Sequence, residues 1–181
     1  MKSNIITLMT IRKILTEPDP FLRQISQEVE KVDDVIRELM DDMLETMYEA
    51  PGIGLAAIQI GVPKRVIVID LSKEEEKTPL YFVNPKLIVK SKNNSTYEEG
   101  CLSVPGQFAE VDRPNECHVS YLDYNGQKKE LKAEGLLATC IQHEIDHLEG
   151  ILFIDYLSKL KQNYIVKKLS KQKKALERIV V

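Results

Sequence analysis

No apolar run in this sequence approaches the roughly 18 consecutive residues that cross a bilayer, so a membrane span is not expected. Residues 1–10 have neither a long apolar core nor a small-residue cleavage site, and export is not expected either. Cysteine is scarce: Cys101, Cys117 and Cys140 cannot all pair, which argues against a secreted disulfide scaffold and for reduced thiols in a cytoplasmic setting. Histidine is equally scarce, with His118, His143 and His147 alone. The chain has no Ser-, Gly- or Pro-rich tract and no internal repeat, so neither long disorder nor a solenoid is suggested. What is present, 181 residues with 43% hydrophobic content, suffices for one compact domain over residues 1–181.

The net charge of −3 hides an asymmetry. Residues 158–181 carry eight basic side chains (Lys159, Lys161, Lys167, Lys168, Lys171, Lys173, Lys174 and Arg178) against Glu177, a net of +7, which leaves −10 for the rest. A basic tail on an acidic body points to an anionic partner for the tail alone, although a solvated helix face also explains such a run.

Residues 33–49 place Val35, Ile36, Leu39, Met40, Met43, Leu44 and Met47 at helical spacing, with Asp33 or Asp34 as N-cap and Pro51-Gly52 as the stop. Its methionines read as core packing. Strands are predicted over residues 65–71, 80–89 and 116–123. The last is joined through Asn125-Gly126 to 128–133 in a hairpin whose type I′ turn would need positive φ at both positions. Further helices are predicted over about 135–148 and 158–178. Strands and helices do not alternate in βαβ fashion, so the expected class is α+β: a mainly antiparallel sheet around the central helix, plus a C-terminal helix.

That central helix contains His143-Glu144-Ile145-Asp146-His147, an H-E-x-x-H pattern. Two histidines four apart lie on one face about 6 Å apart along the axis, so both imidazoles can converge on one ion beside Glu144. The third ligand decides the class. A metzincin-like continuation fails because Phe153 stands where its last histidine belongs, and a downstream glutamate ligand would have to be Glu177 in the basic tail. His118 reads as a sheet or surface residue. Cys140 sits about 7 Å along the axis from the point between the histidines, too far for its side chain and a ~2.3 Å metal–sulfur bond. Cys117 lies in a predicted strand. Cys101 is the preferred ligand, because Gly100 and Pro105-Gly106 break regular pairing around it and a loop there can aim a thiolate at an ion. A closed structural site with Cys101, Cys117, His143 and His147 is the alternative, but its two cysteines lack the usual short spacing. Three protein ligands leave one position open, as catalysis requires.

Three segments together resemble the peptide deformylases: Gly52-Ile53-Gly54-Leu55-Ala56-Ala57-Ile58-Gln59, Glu99-Gly100-Cys101-Leu102-Ser103, and Gln142-His143-Glu144-Ile145-Asp146-His147-Leu148-Glu149-Gly150. They occur in that family's order and at similar spacing. The resemblance implies a bacterial-type hydrolase that removes the N-formyl group from the first methionine of new polypeptides. It implies Cys101, His143 and His147 as metal ligands, Glu144 as the proton carrier, and the Gln59 amide with the Leu102 backbone N–H as oxyanion donors. It favours Fe2+, with Zn2+, Ni2+ or Co2+ as substitutes, and a basic C-terminal helix that docks on the ribosome near the exit tunnel, where RNA supplies phosphates. The run Val104-Pro105-Gly106-Gln107-Phe108 departs from members that bear a basic residue near Phe108. Gly52 and Gly54 would let a peptide backbone approach closely, and Ile53, Leu136, Cys140 and Ile141 flank the motifs as a candidate methionine pocket. The rival readings are a metallopeptidase cutting ordinary amides and a ribosome-associated binding protein with a structural metal.

Overall fold

The structure, a computed structural model, describes residues 10–72 and 76–179; the leading segment read for export signals lies outside them except for Thr10. Helix α1 (Asp34–Glu49) begins as its sequence dictates. The Asp33 carboxylate accepts the Ile36 N–H at 3.0 Å, satisfying an amide that has no partner inside the helix. The apolar stripe then goes inward, with Met40, Met43 and Met47 fully buried.

The main sheet is antiparallel with five strands in the order β1 (Gly54–Ala56), β2 (Val66–Ile69), β3 (Leu80–Lys90), β6 (Glu116–Leu122) and β7 (Lys128–Glu134). A separate ribbon pairs β4 (Asn94–Gly100) with β5 (Phe108–Pro114). Strand β2 explains how the layers meet. Its four residues, Val-Ile-Val-Ile, are all fully buried: Val66 and Val68 pack toward α1, whereas Ile67 and Ile69 face the other way. On that second face lies α2 (Gly135–Leu148), whose Ala138, Ile141, Ile145 and Leu148 pack on Ile67, Ile69, Phe82 and Val119. A strand buried on both sides has no need of polar alternation, which is why this segment reads as a continuous apolar run. Each of these large side chains contributes about 1.5–3 kcal/mol when fully withdrawn from water. The sheet thus carries α1 on one face and α2 on the other, within the α+β, mainly antiparallel class expected from the sequence.

The hairpin β6–β7 forms at the expected place with a different turn. Among the non-glycine residues described, only Asn84 has positive φ, so Asn125 does not, and Gly126 alone adopts φ +77°. The Asp123 carboxylate accepts the N–H groups of Asn125 and Gln127, each at 2.9 Å, and the Asp123 carbonyl accepts that of Gly126 at 2.9 Å. This carboxylate cap stabilises a longer loop with one left-handed glycine, and the type I′ expectation is corrected on that ground.

Helix α3 (Lys159–Ile179) is basic outside, yet Ile165 and Leu169 are buried with Val104, Ala109, Val111, Leu152 and Phe153 in a third apolar cluster. The first half of α3 therefore belongs to the packing that backs the loop after β4. Its basic side chains, from Lys159, Lys161, Lys167 and Lys168 to Lys171, Lys173, Lys174 and Arg178, are exposed. No helix among the described residues is long and apolar enough to cross a membrane.

Candidate metal centre

Helix α2 sets His143 and His147 one turn apart, with ring centroids separated by 5.1 Å. Strand β4 ends at Gly100, and the following turn brings Cys101 Sγ to 3.2 Å from His147 Nε2. Sγ and one nitrogen of each ring all lie within 4.8 Å of one another, the sole group of this kind among the described residues. Tetrahedral coordination with metal–sulfur and metal–nitrogen bonds of the usual length separates such ligand atoms by roughly 3.3–3.6 Å, so a divalent ion fits with little adjustment. One thiolate with two imidazoles suits a borderline-soft metal.

The other ring nitrogens differ. His143 Nδ1 lies 2.8 Å from Glu99 Oε2, a bond that makes Nδ1 the donor and leaves Nε2 for an ion. Glu99 is itself held by the Arg113 guanidinium, at 2.5 Å through Nε and 3.1 Å through Nη2, while Arg113 Nη1 reaches Asp146 Oδ2 at 2.7 Å. His147 Nδ1 is buried without a partner on the described chain. Burial pushes the Glu99 carboxyl up, but hydrogen bonds from His143 and Arg113 outweigh it and its pKa ends low. For His143, burial opposes the charged form, yet bonds to Cys101 and Glu99 outweigh it and raise its pKa well above the ordinary value. For His147, burial prevails, reinforced by His143, and its pKa falls. An ion would take the place of the His143 Nε2 proton in this cluster.

Glu144 points from the same helix into the cavity beside the three ligands. It is buried, and its Oε2 has no partner on the described chain. Burial pushes its carboxyl up to about 7, the range in which a carboxylate can take and return a proton near neutral pH. A buried carboxylate oxygen without a partner, next to a cysteine sulfur and two imidazoles, calls for a partner that the protein chain itself does not supply.

The cavity in front of these groups measures about 490 Å³, ample for a methionyl residue and the start of a peptide. Gly52, Ile53, Gly54, Leu136 and Cys140 line it as the sequence suggests, together with Gln59 and Leu102. Ile141 does not. It is fully buried in the core between α2 and the sheet, because the face of α2 carrying Leu136, Cys140, His143 and Glu144 turns away from it. Thr139 occupies the wall position instead. Burial raises the Cys140 thiol to about 12, so Cys140 is a neutral apolar wall and no thiolate. Cys117 is buried in the core with its sulfur 4.0 Å from the Ala138 carbonyl oxygen, outside the ligand group. His118 lies on β6 and pairs with Glu130 at 3.2 Å, a sheet residue as expected.

Gly54 is required by space. A methyl there would meet Glu144 Cδ at 3.0 Å and Cγ at 3.1 Å, against a side chain that is itself enclosed. Gly54→Ala is expected to displace the carboxylate and lower kcat by about tenfold or more while metal content stays unchanged, since an angstrom of misplacement is costly to catalysis. Steady-state kinetics with metal analysis on the same preparation checks this.

Sequence reasoning left four contributors without a role. Glu99, Ser103 and Asp146 stood inside quoted motifs, and Arg113 was not singled out. Arg113 is only 3% exposed, and the alternation of β5, in which Ala109, Val111 and Arg113 point inward, was the available signal.

A family model described as polypeptide deformylase matches residues 11–163. A curated peptide deformylase from Pelagibacter ubique is 69% identical over 176 residues, covering 96% of this chain and all of the relative. A crystal structure of the peptide deformylase from Ehrlichia chaffeensis in complex with actinonin has a TM-score of 0.87 at 47% identity, with 91% of this chain and 98% of that one covered. A Met-Ala-Ser-bound class I type b peptide deformylase from Acinetobacter baumannii gives 0.78 at 31% identity, covering 83% and all of the two chains.

Proposed function

The chain belongs to the peptide deformylase family, and from that premise we propose how its own residues remove the N-formyl group from the N-terminal methionine of new polypeptides, releasing formate. The observation that carries the reading is the convergence of Cys101, His143 and His147 beside the unpartnered Glu144 oxygen in an open cavity. The family is metal-dependent, and Cys101, His143 and His147 would hold the ion. When bound, a divalent ion there would act as a Lewis acid and lower the pKa of a water molecule toward about 7. Glu144 accepts the proton of the attacking water and later delivers it to the departing amine nitrogen. Gln59 Nε2 and the Leu102 N–H donate to the oxyanion that develops on the formyl oxygen, each contributing about 2.7–4 kcal/mol. Gly52 and Gly54 let the substrate backbone lie against the wall, while Ile53, Leu136 and Cys140 face its methionine side chain. The Met-Ala-Ser bound to the Acinetobacter baumannii relative has the chemistry of the product expected here.

Fe2+ is the favoured native ion on the resemblance stated above alone, since one thiolate and two imidazoles suit Zn2+ as well, and Zn2+, Ni2+ or Co2+ are substitutes. A single catalytic unit in the cytoplasm fits a substrate that arises at the ribosome. The exposed basic side chains of α3 are suited to ribosomal RNA, and because Ile165 and Leu169 are core residues, the part available for docking is the opposite, lysine-bearing face of the helix.

The test is substrate discrimination. The protein, purified anaerobically, releases formate from formyl-Met peptides and turns over acetyl-Met peptides at least 100-fold more slowly, because a site fitted to the formyl hydrogen has no room for a methyl. Comparable rates on acetylated or internal amide substrates would favour the metallopeptidase reading.

A further inference from the structure

Gln59 is 1% exposed, and each end of its carboxamide is held. Oε1 accepts the Ala56 N–H at 2.8 Å, which fixes the oxygen end because a backbone N–H can only donate. Nε2 then lies 3.0 Å from Ser103 Oγ and 3.5 Å from Cys101 Sγ. One Nε2 proton goes to the Ser103 hydroxyl oxygen. The other faces sulfur, a weak acceptor at long range, and is the one free to turn to a substrate oxygen.

Ser103 has no solvent exposure and so cannot trade this bond for one to water. The same two residues are also joined through the main chain. The Leu15 N–H donates to the Gln59 carbonyl at 2.7 Å, and the Glu17 N–H donates to the Ser103 carbonyl at 2.8 Å. Glu17 is anchored in turn by Arg23 at 3.3 Å, and Arg23 also bonds Asp155. Residues 15–17 thereby strap together the segment that carries Gln59 and the loop that carries Cys101, Leu102 and Ser103. The strap sets the separation of the two backbones, and the Ser103 hydroxyl sets the rotation of the carboxamide between them.

We infer that Ser103 is a positioning residue for deformylation, its hydroxyl holding the Gln59 carboxamide so that the second Nε2 proton is aimed at the developing oxyanion. This rests on the function proposed above. Without the hydroxyl, the Nε2 end keeps only its long contact to the Cys101 sulfur, the carboxamide is free to swing about the Ala56 bond, and the second proton loses its aim. The oxyanion exists only in the transition state, so the loss falls on kcat and not on KM.

The experiment compares wild type, Ser103→Ala, Ser103→Thr, Gln59→Ala and the Ser103→Ala/Gln59→Ala double variant as full-length, metal-loaded chains on a formyl-Met peptide. Metal content and hydrogen exchange of the Gln59 side-chain amide are measured on the same samples. Ser103→Ala is expected to lower kcat about 10- to 100-fold, below or equal to the cost of removing an oxyanion donor outright, with KM and metal content as in wild type. Ser103→Thr, which keeps the hydroxyl, restores kcat to within about threefold of wild type on the same comparison. In the Gln59→Ala background, Ser103→Ala changes kcat less than about twofold, because its effect passes through Gln59. The Gln59 amide exchanges faster in Ser103→Ala than in wild type. Wild-type kcat in Ser103→Ala, equal losses in the Ala and Thr variants, multiplicative losses in the double variant, or unchanged amide exchange would each overturn the inference. A wild-type chain that releases no formate would instead overturn the deformylase reading itself.

Discussion

Glu144→Gln is expected to lower kcat by about 10²–10⁴ while the chain keeps its ion, because the substitution removes a proton carrier and no ligand. Gln occupies the same volume in the enclosed pocket beside Gly54, so the cavity wall and the fold are retained. What is lost is specific. A carboxylate whose burial holds it up at about 7 can take a proton from water and give it to an amine within one cycle, whereas a carboxamide can do neither. KM changes little, since Glu144 engages the reacting water more than the ground-state peptide. Kinetics paired with metal analysis checks the result. A variant that retains more than a tenth of wild-type kcat would remove Glu144 from the mechanism.

Arg113→Ala is expected to cost about 3–5 kcal/mol of stability, the usual penalty for removing one partner of a buried ion pair. Glu99, buried in the intact chain, would keep only His143 as a partner, and Asp146 would lose one of the bonds that tie α2 to the ribbon. For a chain of this length such a loss lowers Tm by roughly 6–20 °C. The effect extends to the metal. Glu99 fixes the tautomer and direction of His143, so metal affinity falls by about 10–100-fold, as for other partners behind a ligating histidine. Arg113→Lys does not restore either property, because a single ammonium cannot fork across both Glu99 oxygens while also reaching Asp146. Thermal denaturation and competitive chelator titration measure the two effects. A Tm within about 2 °C of wild type would mean that the network contributes little to the fold.

The parts legible in the sequence are those with local signals. The apolar periodicity of α1, its Asp33 cap, and the H-E-x-x-H spacing on α2 each state their structure within a few residues, and the elements appear with almost the expected bounds. The ribbon β4–β5 was not expected as strands. Its outward positions carry Glu98, Glu110 and Asp112, and one inward position carries Arg113, so the charge reads as loop although the alternation is present. Burial of that arginine depends on Glu99 and Asp146, which come from other elements, and no window of sequence contains all three. Ile141 was misassigned to the pocket for a related reason: neighbours along a helix lie about 100° apart, so flanking a motif does not place a side chain on the motif's face. The strap at residues 15–17 acts through backbone amides, which every sequence possesses, and it left no sequence signal.

X-ray absorption at the metal edge of the anaerobically purified protein tests the centre itself. One sulfur, two imidazole nitrogens and the remainder oxygen from solvent, with the sulfur lost on Cys101→Ala and kept on Cys117→Ala, is the predicted result. Two sulfurs, or a fourth side chain closing the sphere, would contradict it and leave water no place to react.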